Sequence, residues 1–199
     1  MSKIDLTKTD AEYYKANKTP KQLNLNPLPY LQVVGVGAPE GDSYQKSIEA
    51  IYQVAYTLKF KYKEREQDFV VPKLETFWWV ESGLPFAETP REHWHWKLAM
   101  RLPELVEVAE VTQTLYEAST VGENPMVSNL FFAELNEGKC IQAMHVGPYD
   151  EQGPTIDKLM EFANDEQLSI IGQHHEIYIS DPRKAKPENL KTIIRYAVA

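Results

Sequence analysis

Apolar and polar positions alternate with two different periods along the chain, and the switches between them mark its elements. Leu31-Gln32-Val33-Val34-Gly35-Val36-Gly37 is rich in β-branched residues and ends on Gly-x-Gly, which predicts a strand running into a turn. Over residues 43–63 the apolar Ile48, Ile51, Tyr52, Ala55 and Leu58 recur at spacings of three and four, the pattern of an amphipathic helix. Beyond Pro72, residues 74–80 and 93–101 read as aromatic strands, separated by a loop carrying Ser82-Gly83, Pro85 and Pro90. Pro103 followed by Glu104 predicts a helix to about Glu117, and Gly122-Glu123-Asn124-Pro125 ends the first half.

A second pass of the same plan follows. Strands are predicted at 130–135 and 140–146 around the turn Asn136-Glu137-Gly138, then a helix over about 151–166, then strands near 173–180 and 190–198. Ser47-Ile48-Glu49-Ala50-Ile51-Tyr52-Gln53-Val54-Ala55 aligns without gaps on Thr155-Ile156-Asp157-Lys158-Leu159-Met160-Glu161-Phe162-Ala163, and Glu75-Thr76-Phe77-Trp78 aligns on Glu176-Ile177-Tyr178-Ile179. The expected fold is therefore α+β: two duplicated half-domains, each a mainly antiparallel sheet with a helix, related by a pseudo-twofold with a central ligand cleft. Residues 1–28 are polar, with a short helix near 10–16 and an extended approach, and read as an N-terminal arm. Residues 29–199 form one domain, with halves at about 29–120 and 126–199.

Composition narrows what such a cleft serves. The chain has 199 residues and 43% hydrophobic content in short blocks, so no membrane span is expected. The N-terminus lacks the apolar centre of a secretory signal, which points to the cytoplasm. With 21 Lys and Arg against 29 Asp and Glu, the net charge of −8 opposes phosphate attraction and argues against nucleic acid. The basic run Arg183-Lys184-Ala185-Lys186 sits between prolines and reads as a solvated turn. A single cysteine, Cys140, forms no internal disulfide or cysteine-rich zinc site and reads as a small core residue.

Strand alternation then sorts the chemistry-bearing side chains. Glu75, Phe77 and Trp79 share one face, and His174, Glu176 and Tyr178 share another. The aliphatic Ile177 and Ile179 face should lie against the helix, which leaves Glu176 and Tyr178 for the cleft, where the repeat brings Glu75, Phe77 and Trp79. A Glu among aromatic rings is desolvated, so its pKa should rise, suiting a general base or the partner of a cationic ligand. Trp94 and Trp96 point together and are either core or pocket wall, Trp96 reaching the ligand if its face turns inward. Tyr149 in His145-Val146-Gly147-Pro148-Tyr149-Asp150 either reaches the cleft mouth or caps a loop carbonyl. His93 and His95 share a face, but no third ligand is implied and no metal is expected. Gly35-Val36-Gly37 lacks the third glycine of a dinucleotide fingerprint.

These segments together resemble the GyrI-like small-molecule-binding family over nearly the whole chain. The resemblance is carried by Gly35-Val36-Gly37-Ala38-Pro39, Val71-Pro72-Lys73-Leu74-Glu75-Thr76-Phe77-Trp78-Trp79, Trp94-His95-Trp96 with Met100-Arg101-Leu102-Pro103, His145-Val146-Gly147-Pro148-Tyr149-Asp150, and His174-His175-Glu176-Ile177-Tyr178-Ile179-Ser180-Asp181-Pro182. The set looks like the stand-alone branch in which some members hydrolyse cyclopropanoid DNA-alkylating compounds. It departs from that branch at Thr76, where a Gly commonly follows the first-half Glu. The resemblance implies a metal-independent hydrolase with no cofactor, taking small flat aromatic or electrophilic xenobiotics. The strand reading assigns Glu176, Glu75 and Tyr178 as its catalytic residues and Phe77, Trp79, Trp96, Tyr149 and His174 as the ligand lining. Two other readings stay open: a non-turnover binder of cationic aromatic compounds, and a gyrase-inhibiting interaction protein.

Overall fold

The computed structural model describes residues 3–121 and 124–199. Met1 and Ser2, and Gly122 and Glu123 of the loop predicted to end the first half, lie outside the described residues. In chain order the elements are α1 (Leu6–Thr9), α2 (Ala11–Tyr14), β1 (Lys21–Leu25), β2 (Leu28–Val36), α3 (Asp42–Glu64), β3 (Leu74–Trp79), β4 (His95–Arg101), α4 (Val108–Val121), β5 (Phe131–Leu135), β6 (Gly138–Val146), α5 (Gly153–Asp165), β7 (His174–Tyr178) and β8 (Lys191–Ala197). They divide into two compact α+β units that are each discontinuous in sequence. The first holds residues 3–9 and Leu28–Leu135, the second Asp10–Pro27 and Asn136–Ala199.

Each unit has the same β-α-β-β plan. In the first, antiparallel pairing gives the order β3-β4-β2-β5. In the second it gives β7-β8-β6-β1. The fourth strand of each sheet comes from outside the continuous β-α-β-β run. Residues read as an arm thus supply β1 to the second unit, where Leu23 pairs with Cys140 and is buried.

One residue in the second sheet ties this segment down. Arg195 is 0% exposed. Its Nη1 donates to Glu137 Oε2 at 3.0 Å, its Nη2 to the Tyr13 carbonyl at 2.9 Å, and its Nε and Nη2 to Gln142 Oε1 at 3.0 and 2.8 Å. Its guanidinium lies 4.1 Å from the Tyr13 ring centroid. Gln142 in turn donates to the carbonyls of Glu12 and Lys15. Asp10 caps α2 by accepting from Tyr13 N at 3.3 Å.

The first-half helix expected from Pro103 instead begins at Val108. Pro103 closes a turn by accepting from Val106 N at 2.9 Å, and the free Glu107 N–H is taken by Tyr62 Oη at 2.8 Å. That partner lies on α3, remote in sequence, and the helix start is set by it rather than by the proline.

Candidate functional site

Each helix packs on one face of its own sheet, and that choice decides which side chains share a site. In the second unit the helix side is defined by Leu159 and Ala163 of α5, buried with Ile141, Ala143, Ile194 and Tyr196. Ile194 is the cross-strand partner of Glu176, and Thr192 that of Tyr178. Partners across a ladder point the same way, so Glu176 and Tyr178 lie on the α5 side. The expectation that Ile177 faces the helix is therefore corrected: Ile177 pairs with Ile193 on the opposite face, alongside His175 and Arg195. The aliphatic pair looked like the helix-facing one only because the stronger apolar partners, Ile141, Ala143 and Ile194, sit on other strands.

At the N-terminal end of α5, the turn before the helix carries Tyr149. Gly147 sits at φ +142°, a conformation that side-chain-bearing residues rarely adopt, and its N–H donates to the Leu190 carbonyl at 3.0 Å. His145 braces the same turn, with Nε2 2.9 Å from the Pro148 carbonyl and Nδ1 3.2 Å from Thr155 Oγ1. Since a carbonyl only accepts, Nε2 carries the proton, and in the neutral ring Nδ1 accepts from Thr155. The turn presents the Tyr149 ring edge-on to Tyr178, 5.5 Å between centroids, and leaves Tyr149 40% exposed. Burial and the charge of Glu176 push its hydroxyl pKa up.

Behind these rings lies Glu176, 8% exposed and held by two donors. Tyr178 Oη donates to Oε2 at 2.6 Å, and His174 Nε2 lies 3.0 Å from Oε1. His174 is itself held, with Nε2 3.2 Å from Gln152 Oε1 and Nδ1 2.6 Å from Tyr196 Oη. Burial works to raise the Glu176 pKa, but the hydrogen bond and charge of His174, together with Tyr178, outweigh it, so the pKa falls below the usual carboxylate value. This reverses the rise expected from desolvation alone. Strand alternation brings His174, Glu176 and Tyr178 together as expected. Gln152 and Tyr196 were missed; Tyr196 follows Thr192 and Ile194 at the strand period, a signal readable only once β7 is paired with β8.

The first-half residues follow a different geometry. Trp78 stacks on Tyr44 of α3 with centroids 5.2 Å apart, and Thr76 Oγ1 is 2.9 Å from Tyr44 Oη, so the Thr76 and Trp78 face meets the helix. Trp96 pairs with Trp78 and Gly35, packs edge-on to Tyr44 at 5.2 Å, and is fully buried there. Glu75, Phe77 and Trp79 point the other way, with Ala99, Lys97 and His95 as partners. Glu75 is 0% exposed, Lys97 Nζ lies 4.3 Å from the Phe77 ring centroid, and Trp79 stacks on His95 at 5.4 Å. Trp96 does not join Glu75, Phe77 and Trp79.

Strand pairing also resets the repeat. Gly37 N bonds the Trp94 carbonyl and Gly147 N the Leu190 carbonyl, which makes Leu98 the counterpart of Ile194. Leu98 pairs with Thr76 and Ile194 with Glu176. Thr76 and Trp78, not Glu75 and Phe77, therefore occupy the positions of Glu176 and Tyr178. A slip of one residue exchanges the faces of a strand.

Cys140 is buried in β6, and burial raises its thiol pKa to about 12, which suits a core residue. No helix among the described residues is long and apolar enough to cross a membrane.

The model of the GyrI-like small molecule binding domain matches residues 18–198. The chain belongs to that family. A search of curated proteins found no match. Among solved structures, this GyrI-like chain is similar to an uncharacterized conserved protein from Listeria innocua, 35% identical over 99% of this chain and 100% of that one, TM-score 0.91. It is also similar to a hydrolase from Listeria innocua, 34% identical over the full length of both, TM-score 0.88. The C-terminal domain of EcmrR, 14% identical over 91% of this chain and 97% of that one with TM-score 0.59, shares the fold.

Proposed function

We propose that this GyrI-like chain binds small aromatic electrophiles at Glu176, Tyr178 and Tyr149 and hydrolyses a strained ring in them. The observation that carries the reading is an enclosed carboxylate held by two donors, one of which belongs to a ring that packs on a half-exposed tyrosine. In the free site Tyr178 spends its one O–H proton on Glu176. When a substrate carbonyl enters, that proton turns to the carbonyl oxygen, which frees Oε2 and restores its basicity as the oxyanion gains a donor. Water then attacks the cyclopropane carbon and gives its proton to Glu176. The breaking C–C bond sends its electron pair to the carbonyl oxygen, which later takes that proton, so the net change is addition of one water. The Listeria innocua hydrolase at 34% identity supports a hydrolytic reading. Glu75, with Phe77 and Trp79, is proposed as a second acid and aromatic set whose part in binding is tested in parallel.

A spirocyclopropyl cyclohexadienone is a suitable probe, since water opens it to a hydroxyethyl phenol that absorbs differently. The protein should accelerate the opening, and Glu176→Gln should abolish the acceleration; equal rates for the unaltered protein, Glu176→Gln and Glu75→Gln refute the mechanism. The lowered pKa of Glu176 favours one second reading, a carboxylate that holds a cationic aromatic ligand without turnover. In that case a quinolinium probe binds and is recovered chemically unchanged after long incubation.

A further inference from the structure

We propose that Tyr196 is a positioning residue for Glu176 that acts through His174, its hydroxyl fixing the ring tautomer that donates to the carboxylate. This rests on the reading of Glu176 as the working carboxylate of the site. His174 Nε2 faces two acceptors, Glu176 Oε1 at 3.0 Å and Gln152 Oε1 at 3.2 Å, so Nε2 must carry a proton. In the neutral ring Nδ1 then has only a lone pair, and the group that meets it is the Tyr196 hydroxyl at 2.6 Å. A phenol that donates there makes the opposite tautomer unfavourable, because a proton on Nδ1 would meet the phenol proton while the Nε2 lone pair would meet the carboxylate.

Tyr196 is suited to this task by its surroundings. It is buried on β8 within the α5 core, beside Leu159, Ala163 and Ile194, so its ring direction is set by packing. Burial and the charge of Glu176 push its pKa upward, so it remains a phenol with a proton to give. The order of donation is thus Tyr196 to His174, His174 to Glu176, and Tyr178 to the second carboxylate oxygen. When Tyr178 turns to a substrate, His174 is the donor that keeps the carboxylate in place.

The test needs no ligand. In protein labelled with nitrogen-15 at histidine, His174, assigned by its loss in His174→Gln, should show a protonated Nε2 and an unprotonated Nδ1. Tyr196→Phe, which keeps the ring and its packing, should average the two nitrogens at neutral pH. His174→Gln, which retains a donor, should hold the Glu176 carboxyl titration midpoint, followed by carbon-13, nearer the unaltered value than His174→Leu does. A protonated Nδ1 in the unaltered protein at neutral pH, or a Tyr196→Phe variant in which the tautomer does not move, overturns the proposal. If the tautomer moves but ring opening keeps its pH profile, the positioning role stands and the hydrolytic reading of Glu176 fails.

Discussion

Replacing Arg195 by Met removes the cation from a buried ion pair. Arg195 is 0% exposed and Glu137, its ion-pair partner, has a side chain only 12% exposed. Burial raises the Glu137 pKa, yet the charges of His175 and Arg195 and their hydrogen bonds bring it from 4.5 down to about 2. At about 1.4 kcal/mol per pH unit, that fall corresponds to about 3 kcal/mol of folding free energy at neutral pH, shared between His175 and Arg195. Removing one partner of a buried pair costs about 3–5 kcal/mol, and with His175 still beside Glu137 the lower end of that range applies. Because the folded pKa is depressed, this stabilisation is present above pH 4.5 and is lost as pH falls toward about 2. Urea unfolding followed by far-ultraviolet circular dichroism should therefore show Arg195→Met destabilised by about 3 kcal/mol at pH 7, with the difference shrinking below pH 4.5. Circular dichroism is the appropriate signal because all four Trp residues belong to the first unit, whereas Arg195 belongs to the second. The double variant Arg195→Met with Glu137→Met should recover most of the loss. A cost under about 1 kcal/mol at pH 7, or one that is flat from pH 7 to pH 3, refutes the reasoning.

Three further outcomes follow from the same geometry. A Cβ on Gly35 would overlap the buried Trp96 ring, so Gly35→Ala should cost about 1–3 kcal/mol in urea unfolding; an unchanged midpoint would show that Trp96 moves freely. Tyr149→Phe should leave unfolding within about 0.5 kcal/mol of the unaltered protein while slowing ring opening at least about tenfold, and an undiminished rate removes Tyr149 from the site. Thr76→Gly, which takes away the partner of the Tyr44 hydroxyl, should cost about 1–3 kcal/mol in thermal unfolding, and no change would mean that this bond contributes nothing.

Local pattern carried the order of elements, because helix and strand periods are properties of short windows. It also carried the grouping of His174, Glu176 and Tyr178, since alternation needs no partner strand. What it could not carry was register. Glu75-x-Phe77 and Glu176-x-Tyr178 coincide in residue type, but which face each presents depends on hydrogen bonds to β4 and β8. The direction of the Glu176 pKa shift was lost for a related reason: desolvation can be read from neighbours in sequence, whereas Tyr196 and Gln152, which hold His174 against it, come from β8 and the α5 terminus. The first twenty-odd residues looked like an arm because a strand that pairs only with β6 has no local cue beyond a five-residue apolar and polar alternation.

The placement of β1 in the second unit has a consequence for biosynthesis. A ribosome releases β1, at Lys21–Leu25, before any of the first unit's strands, yet its partner β6 starts only at Gly138. The first unit can close once Leu135 has emerged, while β1 and the Tyr13 segment wait for β6 and for Arg195 of β8. The nascent chain therefore carries an open strand edge from the release of β1 until β6 has been made, and Arg195 of β8 then closes the clasp on the Tyr13 segment.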